Sequence, residues 1–173
     1  MLEVHQLIFF ALLIGACCYA AIRGGAPERI TAAAMISALV ATLAFAHLLP
    51  PRQGAYAAIE IGVALTDLSL FMLIVWVALF STRFWPMLMA SMMGCGLFGH
   101  LTKPLGPDIL PRAYYIAVAL WSYPELLLLV AATWRHQMRL ARYGVDHAWV
   151  HNLPQRYRNG WSIDELARPL PRN

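Results

Sequence analysis

AAIEIGVALTDLSLFMLIVWVALF, residues 57–80, decides the fold class. As a helix these 24 residues reach about 36 Å, enough to cross a bilayer core of about 30 Å with some tilt. The stretch carries two carboxylates, Glu60 and Asp67, and no Lys or Arg. A charged Asp at the bilayer centre costs about 2.5–3.5 kcal/mol on insertion scales. Both acids are therefore expected to face other helices or a wet cavity rather than lipid. Their spacing of seven residues turns a helix through about 700°, close to two full turns, so they share one face about 10 Å apart. Ala64, Phe71 and Ile74 complete that stripe.

The rest of the composition agrees with a membrane domain. Of 173 residues, 60% are hydrophobic and 13% charged, against about 25% charged in a typical soluble domain. The mean hydropathy is +0.58. A soluble fold of this size has no means of burying so much apolar surface. The net charge of +4 is uneven, since seven of the thirteen basic residues follow Trp134. A basic tail beside an anionic lipid surface accounts for that better than a nucleic-acid partner, and none is expected. Cys17, Cys18 and Cys95 lie in apolar stretches without metal-type spacing and read as small hydrophobes. The opening MLEVHQ lacks a basic segment before the first apolar run, so that run reads as a span with its N-terminus outside rather than a cleaved leader.

Five apolar spans follow, at about 4–22, 30–49, 57–80, 84–101 and 113–133, with a basic tail over 134–173. Arg23-Gly24-Gly25 with Pro27-Glu28-Arg29, Pro50-Pro51-Arg52, Ser81-Thr82-Arg83 and the Lys103-Pro104 to Pro111 loop separate them. The fourth span sits near the lower length limit, and a re-entrant segment is its alternative. With the N-terminus outside, the inner segments hold ten basic residues against three outside, Arg52, Lys103 and Arg112. The expected fold is all-α, a polytopic bundle of five transmembrane helices, N-out and C-in. Trp85, Trp134, Tyr56, Tyr114 and Tyr115 fall near span ends, where amphipathic rings favour the interface. Small residues four apart, Ala11 and Gly15, Ala34 and Ala38, Ala90 and Gly94, allow close helix approach. The fifth helix is expected to continue through WRHQMRLARY to a stop at Gly144, with Arg135, Arg139 and Arg142 meeting lipid headgroups. A short helix from Ser162, capped through Glu165, follows.

Chemistry, if any, rests on the ionisable groups at membrane depth. Asp67 and Glu125 fall near the midplane, whereas Glu60, His47 and His100 fall toward the outer side. Glu125 follows Pro124, whose missing N–H frees a carbonyl near Leu120 and opens a polar spot in the helix. Carboxyls so placed fix helix packing, relay protons, or hold a cation or a positively charged substrate. His47 and His100 offer a metal site with the acids, or two axial ligands for a b-type haem. In the tail, His147 and His151 beside Asp146 have one-face spacing for zinc without a third ligand. No phosphate loop, dinucleotide fingerprint, nucleophile elbow or HExxH motif occurs. The first expectation is an accessory or interaction subunit of a membrane complex, its partners the bilayer and other subunits or itself. A proton- or cation-coupled carrier and a haem redox subunit are the alternatives.

Four stretches together, AYAAIEIGVALTDLSLF (55–71), ALFSTRFWPM (78–87), ALWSYPELLLL (119–129) and TWRHQMRLARYGVD (133–146), resemble a group of small bacterial inner-membrane proteins with no assigned activity. The resemblance spans roughly residues 54–150 and implies a multi-pass protein of the bacterial inner (plasma) membrane. It transfers no functional residue.

Overall fold

The computed structural model describes residues 4–48, 61–105, 111–144, 146, 148 and 149, with side chains described over 6–45, 62–98 and from 121 onward. These residues form five helices, α1 (Val4–Arg23), α2 (Ala26–Leu48), α3 (Ile61–Phe80), α4 (Trp85–Leu105) and α5 (Pro111–Tyr143). Three of them, over Gln6–Arg23, Ala26–Phe45 and Gly62–Phe80, are long and apolar enough to cross a membrane; the apolar run of α4, Trp85–Phe98, is shorter. The chain is thereby a helical membrane protein.

Helix boundaries move outward from the hydropathy limits, because proline starts helices here as readily as it stops them. Pro27, Pro86 and Pro111 each sit in the first turn of a helix, where the missing N–H has no intrahelical partner to lose. The segment Pro27-Glu28-Arg29, expected as loop, is therefore the first turn of α2, and only Gly24 and Gly25 separate it from α1. Likewise α4 runs past Lys103-Pro104, and α5 runs unbroken through Pro124 to Tyr143. Its end is the expected one. Gly144 adopts φ +71°, and its N–H donates to the Leu140 carbonyl at 2.9 Å, closing the helix as a left-handed cap.

Each helix packs against its chain neighbours, and α5 returns to α1, so the five form a closed ring with a narrower α2–α5 contact across it. The core stripe of α1, Leu13, Ala16, Cys17 and Ala20, has helical spacing. It belongs to one core cluster with Ala32 and Met35 of α2, Ile74 of α3, Met89 and Met93 of α4 and Leu129 of α5. The many alanines let backbones approach, the main source of helix association in lipid. Leu126 is 4% exposed, while its neighbour Leu127 is 71% exposed, the arrangement lipid permits and water does not. Four helix hydroxyls satisfy themselves locally: Thr66, Ser69, Ser91 and Thr133 each donate to the carbonyl four residues back.

Candidate functional site

Two polar regions lie within the ring. The first is a cavity of about 280 Å³, partly open, to which every helix contributes. Asp67 of α3 and Glu125 of α5 both line it, with Thr42, Ser122 and the rings of Phe9 and Trp121. The stripe read from the sequence explains the placement. Ile74 is fully buried, Phe71 packs on the core, and Asp67 looks into the cavity from the same helix face. On α5, Glu125 is buried next to Leu126 and four residues from Leu129, so the core stripe carries it inward. The structure thus brings together Asp67 and Glu125, the two acids expected near the midplane. Glu60 lies outside the described residues. His47 and His100 fall within α2 and α4, but their side chains lie outside the described residues, as do His147 and His151.

The second region, an ionic cluster, closes the end of the bundle where the α1–α2 turn, the α3–α4 turn and the end of α5 meet. Glu28 and Arg83 are its centre, with side chains 0% and 4% exposed and Arg83 Nη1 donating to Glu28 Oε1 at 2.8 Å. Trp85 Nε1 donates to the same oxygen at 3.1 Å. Arg83 Nη2 donates to Asp146 Oδ2 at 2.8 Å, and Arg139 Nε lies 3.3 Å from both Asp146 oxygens. His136 Nδ1 is 2.5 Å from Asp146 Oδ2 and 3.1 Å from Arg83 Nη2. A carboxylate so close requires Nδ1 to carry a proton and donate it. Arg83 Nη2 then directs its hydrogen to Asp146, and the Arg83–His136 approach is a contact between two donors.

The turns are shaped around this cluster. Gly25 passes so near that an added Cβ would lie 3.1 Å from Arg83 Nη2, Glu28 Oε2 and His136 Cε1. The Gln137 side-chain amide donates to the Arg23 carbonyl, satisfying one orphan acceptor at the end of α1. Beyond Gly144 the chain folds back. Thr82 N–H donates to the Ala148 carbonyl at 3.2 Å, Ser81 pairs with Trp149, and Trp149 packs on Trp76 at 5.7 Å between ring centroids. Among the described residues, no three His, Cys, Asp or Glu side chains form a metal-type group.

Of the arginines expected at lipid headgroups, Arg139 is paired with Asp146, and Arg135 and Arg142 are exposed. The roles of Glu28, Arg83, His136 and Asp146 were not read from the sequence, where Arg83 counts only as a topological charge. The three groups that meet Arg83 lie 53 to 63 positions from it, and although His136 and Asp146 are ten apart, no local pattern links the cluster. The available signal was that all four fall in segments assigned to one membrane side.

Burial acts to raise the Asp146 carboxyl, but the His136 hydrogen bond and the Arg83 and Arg139 guanidiniums outweigh it and hold the group below its ordinary value. A depressed folded value contributes stability that is fully present above the unfolded Asp value of about 3.9. That contribution is lost as pH falls through the lower folded value. The Thr82 amide, which donates to the Ala148 carbonyl, is thus expected to exchange slowly at neutral pH and faster only below about pH 4. Asp146→Asn should release the folded-back segment and make the Thr82 amide exchange fast at neutral pH; protection unchanged in that variant would show that Asp146 does not hold the segment. Comparison with protein-family models, with curated proteins and with solved structures finds no match.

Proposed function

We propose that the protein acts at the Asp67–Glu125 cavity, taking up a proton or a small cation there in the manner of a proton- or cation-coupled carrier. The observation that carries this reading is the shared cavity inside the helix ring: two carboxyls from different helices, with hydroxyls and aromatic faces. Acids in such a place are costly and are kept where charge is bound or passed on, and aromatic faces favour a cation further. In this reading all five helices cross the bacterial inner (plasma) membrane, N-out and C-in. The lengths of α4 and α5, 21 and 33 residues, support it, since they correspond to about 32 Å and 50 Å. The excess of arginine at the α1–α2 turn, the α3–α4 turn and the tail supports the orientation.

The test is flux and chemical labelling of the full chain in vesicles. Under an imposed pH or sodium gradient, the protein should carry a gradient-dependent current that Asp67→Asn and Glu125→Gln each lower at least about tenfold, about 1.4 kcal/mol at the site. A hydrophobic carbodiimide, which reacts with protonated carboxyls, should modify Glu125, and the bound cation should protect it. Wild-type protein that shows neither current nor labelling overturns the carrier reading.

A second reading, an accessory subunit of a membrane complex, has its own observation. An apolar groove of about 570 Å³ runs between α1 and α5, floored by Ala11, Gly15 and Ala16 and flanked by Tyr19 and Tyr123. An added Cβ at Gly15 meets nothing within 4 Å, so the groove is open to another helix. Cross-linking from a cysteine at Gly15 to a co-purified chain distinguishes this role from transport.

A further inference from the structure

We infer that the cleft between the starts of α4 and the end of the α5 span is a binding site for the phosphate of an anionic membrane lipid. This cleft, about 360 Å³, adjoins the ionic cluster and is separate from the Asp67–Glu125 cavity. Three guanidiniums line it, those of Arg83, Arg135 and Arg139, against one carboxylate, Asp146. Counting Glu28, which Arg83 also engages, the positive charge still exceeds the negative.

The guanidiniums are not used up by their protein partners. Arg83 Nε and Arg139 Nη2 are buried donors without a hydrogen-bond partner, and an orphaned buried donor is costly unless an acceptor arrives. A phosphate supplies several acceptor oxygens, two of which can meet the planar fork of one guanidinium together. The first turn of α4 forms one wall through Trp85 and Leu88, with Phe84 just before it, and its helix dipole favours an anion as well. The remaining wall decides between a free and a lipid phosphate. Leu88, Leu128, Ala131 and Ala132 continue from the arginines toward the middle of the helices, a surface suited to acyl chain and not to a hydrated ion. The cleft also sits where α3 ends and α4 begins, the level of the headgroups.

The experiment is native mass spectrometry of the delipidated full chain, titrated separately with dioleoylphosphatidylglycerol, with dioleoylglycerol and with inorganic phosphate. One phosphatidylglycerol should be retained, with dioleoylglycerol and phosphate retained at least about tenfold more weakly. Arg135→Gln and Arg139→Gln should each weaken retention by about tenfold, the loss of one charge-assisted hydrogen bond. Arg29→Gln, exposed at the start of α2 and outside the cleft, should leave it unchanged. Equal retention of dioleoylglycerol, or no effect of Arg135→Gln, overturns the site. Inorganic phosphate bound as tightly as the lipid overturns the lipid assignment in favour of a soluble phosphate. Since none of these variants touches Asp67 or Glu125, failure here leaves the carrier reading standing.

Discussion

Arg83→Met lowers the stability of the protein by about 3–5 kcal/mol, the range for breaking a buried ion pair from one side. The substitution leaves Glu28, with a fully buried side chain, holding only the Trp85 N–H. It also removes the closest guanidinium from Asp146. An uncompensated buried carboxylate either stays charged at high cost or takes up a proton, and both outcomes weaken the folded state. The expected restoration is equally specific. Adding Glu28→Gln keeps the acceptor for Trp85 while removing the stranded charge, so the double variant should recover a large part of the loss. The coupling is read from denaturation of the four proteins in one detergent as a double-mutant cycle. Additive losses, with no recovery, would show that Glu28 and Arg83 contribute independently and that the cluster is not an energetic unit. Because the pair is shielded from solvent, the penalty should change little with salt, unlike that of a surface pair.

The second large effect lies in the turn that roofs the cluster. Gly24→Ala places a Cβ 2.3 Å from the Ala20 carbonyl oxygen and 2.7 Å from Glu28 Cβ. Neither atom is the free end of a flexible side chain. The turn must open and carry the first turn of α2 with it, at a cost of about 3 kcal/mol. Gly25→Ala meets only side-chain ends, each at 3.1 Å, which yield by a few tenths of an ångström; about 1 kcal/mol is expected. Thermal unfolding midpoints in detergent should therefore fall in the order wild type, Gly25→Ala, Gly24→Ala. The reverse order would mean that α1 and α2 are joined less tightly than their geometry indicates.

Both predictions concern a region that local sequence patterns did not reveal. The turn was expected to extend over seven residues, from Arg23 to Arg29, because Pro27 reads as a helix stop when hydropathy is followed outward from the apolar centre. Proline in the first turn loses no hydrogen bond. The charged residues Glu28 and Arg29 thereby enter α2, and Glu28 faces Arg83. The carboxylate cavity was more legible. The seven-residue spacing of the acid face, continued by Phe71 and Ile74, set Asp67 on the buried side of α3. Glu125 was placed at the same depth by counting from the end of its span. That both acids line one cavity also required knowing that α5 closes the ring beside α1, which periodicity does not specify.

The sequence by itself determined that this is a helical membrane protein, since no water-soluble arrangement hides runs such as residues 57–80. It also determined which face of α3 turns inward, through the insertion cost of a bare Asp, and where α5 stops, through the glycine that tolerates a positive φ. Only the tertiary structure decided which charges meet. Residues 28, 83, 136 and 146 come together because two short turns and a folded-back segment share one end of the bundle. That Arg83 pairs with groups 53 to 63 positions away is a property of the packed ring, in which desolvation makes each buried charge depend on its partners.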